Sequence, residues 1–548
     1  MPLFAEARRA LGLGNEPVTP NEVIRAILKA EVDLLWFGGI GTYVRASSET
    51  DAQAGDKAND ALRITGAEIR AKVVGEGANL GVTQRGRVEY ALKGGRINTD
   101  AIDNSAGVNS SDLEVNIKIA LGTLTRAGKL TYQVRNEFLA SMTDAVADLC
   151  LRNNYLQTLA ISVAEHRGLA EFPDHLSLIE TLERRGLLNR AVEFLPPDDA
   201  LRERAASGRG LTRPELAVIL AYAKLTLFTD LMETAVTDDP YLSKELYRYF
   251  PERLHETFPD AVTQHRLRRE VIATVLSNAM INRGGPAFVT ELQAATSADA
   301  GQVAAAYAAA RDAYGLQDYN AGLDTLDGSI SGQTQLALYA EIEALLTRET
   351  LWFLRNADFS NGLQPLVERY AEGIATIRGH LPALIPPFLA ELIGKRAASF
   401  ESGGAPKDIS RKIAELSALS MGTDIVLVAD RTGMPVLDAA AAFFGVLDTF
   451  KLGRVLDAGS RIVLADRFDR MALDRALANL MRAQRDLTAD ALASGTGDIS
   501  SRLAAWQAAN PAPIARITAA VQGLTDGEMT VSRLSVAAGL LADLAKTA

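Results

Sequence analysis

Three glycines follow an apolar run in the stretch 72–81, KVVGEGANLG. Gly75, Gly77 and Gly81 give a G-x-G-x-x-x-G spacing, a variant of the turn whose backbone amides cradle a dinucleotide's diphosphate. Asp100 and Asp103 follow at about the interval where such folds place a ribose-binding acid. The helix expected after the glycines is short and polar at its start, which suits a phosphate site poorly. On the residues alone, cradle and ordinary strand-end loop stand level. The other polar candidates also have structural readings. Ser111-Asp-Leu-Glu114 has the S-x-x-E spacing of a capping box, in which the hydroxyl satisfies a helix-end N–H. Asn79 and Asn104 carry amides that hold turns as readily as ligands. Gly38 and Gly39, after another apolar run, allow either a turn or close backbone approach.

These residues need a frame. The runs 32–37 (VDLLWF), 70–74 (RAKVV) and 96–102 (RINTDAI) read as strands, separated by helical patterns around GDKANDALRI and QRGRVEYALKGG. Strand, helix, strand, helix, strand predicts a parallel α/β sheet, with about half the strands of a doubly wound domain. Thr19, Pro20 and Glu22 predict a capped helix start, as do Thr212 and Glu215. After residue 125 the pattern is almost wholly helical. Val134, Phe138, Met142, Val146 and Leu149 fall on one helical stripe, which predicts burial against neighbouring helices. The expected organisation is an α/β part over 1–125 and a large all-α domain over 126–548, with a subdomain edge near 401–408.

Bulk composition narrows the function classes. The chain has 548 residues, more than one hydrophobic core usually serves. Its 57 basic and 68 acidic residues give a net charge of −11 without long runs of either sign, which disfavours nucleic acid and anionic membranes as partners. One cysteine, Cys150, excludes an internal disulfide and a Cys-rich zinc site, and its helical surroundings predict a core thiol. The five histidines show no metal-ligand spacing, so no metal is expected. No window has the length and apolarity of a membrane span and no signal peptide is read; a cytoplasmic location is expected.

The wider context carries a resemblance. VDLLWFGGIGTY and AKVVGEGANLGVTQRGRVEYALKGGRINTDAIDNSAGVNSSDLEVNIKI look like the large bacterial NAD-dependent glutamate dehydrogenases. That family's E-G-A-N and N-x-x-G-V-x-x-S-x-x-E patterns are met by Glu76–Asn79 and by Asn104–Glu114. The match is dense from about residue 19 to 120. Farther on, LTRPELAVILAYAK and INRGGPAF resemble the family's helical tail.

The resemblance implies the second half of a Rossmann-like coenzyme domain followed by the helical domain, with NAD as cofactor and L-glutamate and 2-oxoglutarate as substrate and product. Under it the glycine loop is a strand end facing the nicotinamide. Asn79 sits beside nicotinamide and substrate, Asn104 meets the nicotinamide carboxamide, Ser111 holds the substrate's distal carboxylate, and Gly38 and Gly39 approach the cofactor's ribose. The family's proton-handling lysines and its G-x-G-x-x-G turn precede this region; GGIGTYV is no substitute, because Val44 stands at its third glycine position. No catalytic residue is therefore expected in this chain, which alone should not turn over and whose partner is the remainder of the dehydrogenase. A homo-oligomer is also expected. The alternative is a non-catalytic helical assembly or regulatory subunit that keeps a relic coenzyme half-domain.

Overall fold

The computed structural model describes residues 3–462, 464 and 467–547. The chain divides into two compact units, 1–291 and 292–548. The first contains all the strands among the described residues.

In the first unit, helices α1 (Ala5–Leu11) and α2 (Pro20–Leu28) lead into β1 (Leu34–Phe37) and β2 (Val44–Arg45). Short helix α3 (Asp51–Ala54), β3 (Ile64–Thr65) and β4 (Val73–Glu76) follow. The α2 start is as expected: the Thr19 amide donates to Glu22 Oε2 at 2.7 Å, and the Glu22 amide donates to Thr19 Oγ1 at 3.3 Å. β1 and β4 pair in parallel with Trp36 opposite Gly75, and β2 pairs in parallel with β3.

The three-stranded sheet expected from the runs 32–37, 70–74 and 96–102 does not form. The third run contributes one parallel bridge, Val73 to Arg96, closed by the Val74 amide on Arg96 O at 2.9 Å. The chain then turns, because Asn98 bonds forward to Asp103 rather than extending a ladder, and a short helix begins at Asp100. The pattern at GDKANDALRI is also not an α-helix. It becomes a single 3-10 turn, Lys57–Asn59, and then β3. Buried Arg63 explains this: its guanidinium ties Asp51, Asp60, Thr42 O and Asp56 O together, a tertiary demand that outweighs local periodicity.

Helices α4 (Gln84–Leu92), α5 (Asp100–Asp103), α6 (Ser105–Arg126), α7 (Tyr132–Ala140) and α8 (Thr143–Arg167) come next. Then come α9 (Phe172–Arg184), α10 (Asp198–Ala206) and α11 (Arg213–Met232), followed by shorter helices and Arg268–Gly284. The stripe from Val134 to Leu149 is cut between α7 and α8. Of its five residues only Met142 is buried, and Val134 is exposed. Cys150 is buried and unpaired, and burial pushes its thiol up.

A compact core of Phe37, Val44, Ile64, Val74, Val82 and Tyr90 lies on one side of the strands. The opposite face of β1 and β4 is different. Leu34 and Trp36 are 55% and 57% exposed, Val32 and Val73 also reach solvent, and β1 is paired on one side only among the described residues. The second unit is helical throughout its described residues, with long helices Gly332–Asn356, Leu363–Leu384 and Arg467–Ala493. Among the described residues no helix is long and apolar enough to cross a membrane.

Candidate functional site

The glycine loop starts where β4 ends, and its glycines have a packing cause. A Cβ on Gly75 or Gly77 would stand 2.6 or 2.5 Å from the Trp36 ring, which lies across both positions from the neighbouring strand. Gly81 is hemmed by Phe37 and by the Glu76 carboxylate, at 3.2 and 3.3 Å from an added Cβ. The spacing that suggests a phosphate cradle therefore serves an indole and a buried acid.

Alternate loop amides are occupied from within. Glu76 N–H donates to Asp103 Oδ2 at 3.0 Å, and Ala78 N–H to Phe37 O at 3.0 Å. Leu80 N–H donates to Asp100 Oδ2 at 2.7 Å, and Val82 N–H to Glu76 Oε1 at 3.0 Å. Leu80 is held at φ 53°, a conformation uncommon for a side-chain-bearing residue, and the Asp100 bond helps stabilise it. The start of α4 is closed too: Thr83 Oγ1 accepts from Gly86 N–H at 3.1 Å and donates to Glu49 at 2.5 Å. A diphosphate here would meet three carboxylates, and four of the loop's amides are already bonded. The geometry supports the strand-end reading.

Glu76 is the hub. It is fully buried, and Arg87 grips it through Nε at 2.7 Å and Nη2 at 3.0 Å. Burial raises its carboxyl above the usual range, and the Arg87 guanidinium opposes that rise. Arg87 also reaches Asp100 at 3.1 Å. Asp103 is raised by burial and pulled back by Asn98, by the Glu76 amide, and by Arg213 and Arg87. Both aspartates accept loop amides.

The structure brings Asn79 and Asn104 together: Asn104 Nδ2 donates to Asn79 Oδ1 and, at 3.2 Å, to Ala78 O. A carbonyl can only accept, which orients the Asn104 amide and, through it, that of Asn79. Asn104 Oδ1 and Asn79 Nδ2 have no hydrogen-bond partner among the described residues. An acceptor and a donor side by side complement a primary carboxamide.

Ser111 is not a helix cap. α6 begins at Ser105, so Ser111 lies in its second turn, and its hydroxyl donates to Val108 O at 2.9 Å. The capping-box alternative fails because the helix starts about two turns earlier than the S-x-x-E spacing suggests. Asn104 and Ser111 are seven positions apart, which places them on one face of the helix, about 10 Å apart along its axis. Val108, 75% exposed, lies between them. Gly38 and Gly39 are exposed at the end of β1, and a Cβ at Gly38 would touch the Trp36 indole at 3.7 Å. The strand ends, the asparagine pair and this α6 face are joined through the Asn104 contacts.

The family described as glutamate dehydrogenase, C-terminal, matches residues 208–543. The chain belongs to the glutamate dehydrogenase family. The family described as bacterial NAD-glutamate dehydrogenase, catalytic domain, matches residues 1–164. The chain is 40% identical over 503 residues to an NAD-specific glutamate dehydrogenase of Pseudomonas aeruginosa, covering 91% of the chain and 31% of that relative. A protein of the same description from Halomonas elongata is 37% identical over 503 residues, covering 91% and 31%. One from Mycobacterium tuberculosis is 33% identical over 556 residues, covering 100% and 34%. The chain spans about a third of the length of the curated relatives it matches.

The residues that hold the loop are not legible in the sequence pattern. Arg87 belongs to no motif, and Glu76 and Trp36 enter only as members of E-G-A-N and of the run VDLLWF, with no role attached. Asp100 and Asp103, at the interval of a ribose-binding acid, hold loop amides instead. An aspartate just before the E-G-A-N partner Asn104 was the available signal, because a carboxylate at a loop junction commonly accepts backbone amides. Among the described residues no group of three or more His, Cys, Asp or Glu is placed to hold a metal ion.

Proposed function

We propose that this chain supplies part of the coenzyme- and substrate-binding wall of an NAD-dependent glutamate dehydrogenase. The complete protein oxidises L-glutamate to 2-oxoglutarate and ammonia. NAD, when bound, supplies the two-electron acceptor. The observation that carries this reading is the paired amides of Asn79 and Asn104, whose remaining acceptor and donor fit a carboxamide. Asn104 holds the nicotinamide end, Asn79 borders nicotinamide and substrate, and Gly38 and Gly39 let backbone approach the ribose. Ser111, on the same α6 face, turns its hydroxyl from Val108 O to donate to the distal carboxylate of glutamate. The Glu76–Val82 loop does not fit a diphosphate, so we assign diphosphate anchoring, along with proton removal from the amine, to the part of the relatives' length that the chain does not match.

On this reading residues 1–125 form half of a Rossmann-like domain and 126–548 a helical domain. The exposed face of Val32, Leu34, Trp36 and Val73, beside a one-sided β1, supports completion of the sheet by the remainder of the dehydrogenase. Cytoplasmic location and homo-oligomerisation belong to the same proposal.

The test is glutamate-dependent NAD reduction by the complete polypeptide containing this chain. Ser111→Ala is expected to raise KM for glutamate roughly ten-fold or more, because a buried carboxylate loses its donor. The 548-residue chain alone is expected to show no turnover. Turnover by the chain alone, or an unchanged glutamate KM in the Ser111 variant, would overturn the assignment.

A further inference from the structure

We infer that Arg213 is a positioning residue, which holds the Glu76–Val82 loop in its binding shape through Asn98 and Asp103. The inference rests on the binding role proposed above for that loop. Arg213 is the first residue of α11 and only 6% exposed. Its guanidinium has donors and no acceptor. Nε and Nη2 both reach Asn98 Oδ1, at 3.1 and 2.9 Å. The Asn98 oxygen must therefore face the arginine and its NH2 must face away. That NH2 donates to Asp103 Oδ1 at 2.9 Å, and Asp103 Oδ2 accepts the Glu76 amide at 3.0 Å.

Asp103 can only accept, and it takes the Asn98 amide on one oxygen and the Glu76 N–H on the other, so Asn98 cannot turn over without losing its bonds to both Arg213 and Asp103. Arg213 is itself anchored, through Nη1, on Ser162 Oγ at 3.0 Å and Glu165 Oε2 at 2.8 Å, both on α8. At the far end the relay grips both sides of the asparagine pair: Glu76 opens the loop that carries Asn79, and Asp103 immediately precedes Asn104. It also crosses the two family matches. Glu76, Asn98 and Asp103 lie within 1–164, and Arg213 within 208–543. Arg213 thereby links the helical region to the loop, while Asn154 and Gln157 of α8 hold Ser105 on the other side of Asn104. The competing reading is a staple between α8 and α11 that happens to touch Asn98.

Asn98→Asp separates the two. The variant keeps an oxygen for Arg213 but replaces the donor facing Asp103 with a second carboxylate. Above neutral pH the link opens; as pH falls, one shared proton can close it again. In the complete polypeptide, N98D is expected to raise KM for NAD by roughly ten- to a hundred-fold above neutral pH and to recover toward wild type at about pH 6, with kcat changed far less. R213M is expected to raise KM at every pH, with R213K restoring part of the loss. A readout independent of turnover is hydrogen exchange at the Glu76 amide in the 548-residue chain. It is expected to quicken in R213M and, above neutral pH, in N98D. Unchanged exchange at Glu76 in both variants overturns the brace, and quickened exchange with wild-type KM values and pH profile overturns its positioning role. If the wild-type complete polypeptide fails to oxidise glutamate, the proposed function falls, while Glu76 exchange still decides whether the brace exists.

Discussion

Glu76 in the first unit and Glu349 in the second are both buried carboxylates, 0% and 1% exposed, held by opposite chemistry. Glu76 sits in the two-pronged grip of Arg87 and accepts the Val82 amide. Glu349 accepts from the hydroxyls of Tyr314 and Thr423, each at 2.8 Å, while half-exposed Arg348 reaches its other oxygen at 3.2 Å. A guanidinium keeps a carboxylate charged and fixed in direction. Hydroxyls serve a neutral carboxyl nearly as well, and burial pushes Glu349 up to about 7. The difference teaches that burial alone does not decide what an acid is for. Glu76 organises the loop beside the candidate site. Glu349 makes the helical unit's stability depend on pH.

Removing the guanidinium from each network should break the comparison most sharply. Arg87→Met leaves a buried carboxylate without its counter-charge and is expected to cost about 3–5 kcal/mol. Native-state hydrogen exchange of the β1 and β4 amides reads this directly. Arg348→Met removes a half-exposed cation and is expected to cost about 1 kcal/mol or less. Similar losses in the two variants would erase the distinction.

The next effect is a pH slope. The folded value of Glu349 lies above its ordinary 4.5, so the unfolded chain gives up its proton first as pH rises. Its contribution to stability is therefore complete below about pH 4.5, declines toward about pH 7 and is flat beyond. The change is about 3 kcal/mol. Glu349→Gln is expected to lose that slope, measured as urea unfolding at a series of pH values against wild type. A slope retained in the variant would assign it to other groups.

The smallest expected effect concerns Trp36. Gly77→Ala places a methyl 2.5 Å from the indole, but the ring is 57% exposed and can swing away. A loss of about 1 kcal/mol is expected, together with a shift in Trp36 emission. In the Trp36→Ala background the same glycine change should cost nearly nothing. Equal costs in both backgrounds would return the glycines to a backbone role.

Local features were legible because their cause is local. The Thr19 and Thr212 helix starts follow from side chains that reach amides three residues away. Ser111 shows the limit of the same rule: its spacing to Glu114 is right, yet α6 has already begun at Ser105, where Asn154 and Gln157 of α8 bind the Ser105 hydroxyl at 3.0 and 2.9 Å. The stripe from Val134 to Leu149 has helical period but crosses a break, and periodicity carries no information about where helices stop. The candidate residues Asn79, Asn104 and Ser111 came from family patterns. Their contacts with one another did not.

Residue order by itself determined the helix caps, the β1 and β4 runs, the absence of an internal disulfide, and family membership, since each depends on side chains close in sequence or on pattern alone. Tertiary structure decided what the glycines accommodate, which way the asparagine amides face and how Arg213 reaches Glu76. Those outcomes rest on hydrogen bonds and ring contacts between residues tens to more than a hundred positions apart, and short-range propensity does not encode which of many distant partners a side chain will meet.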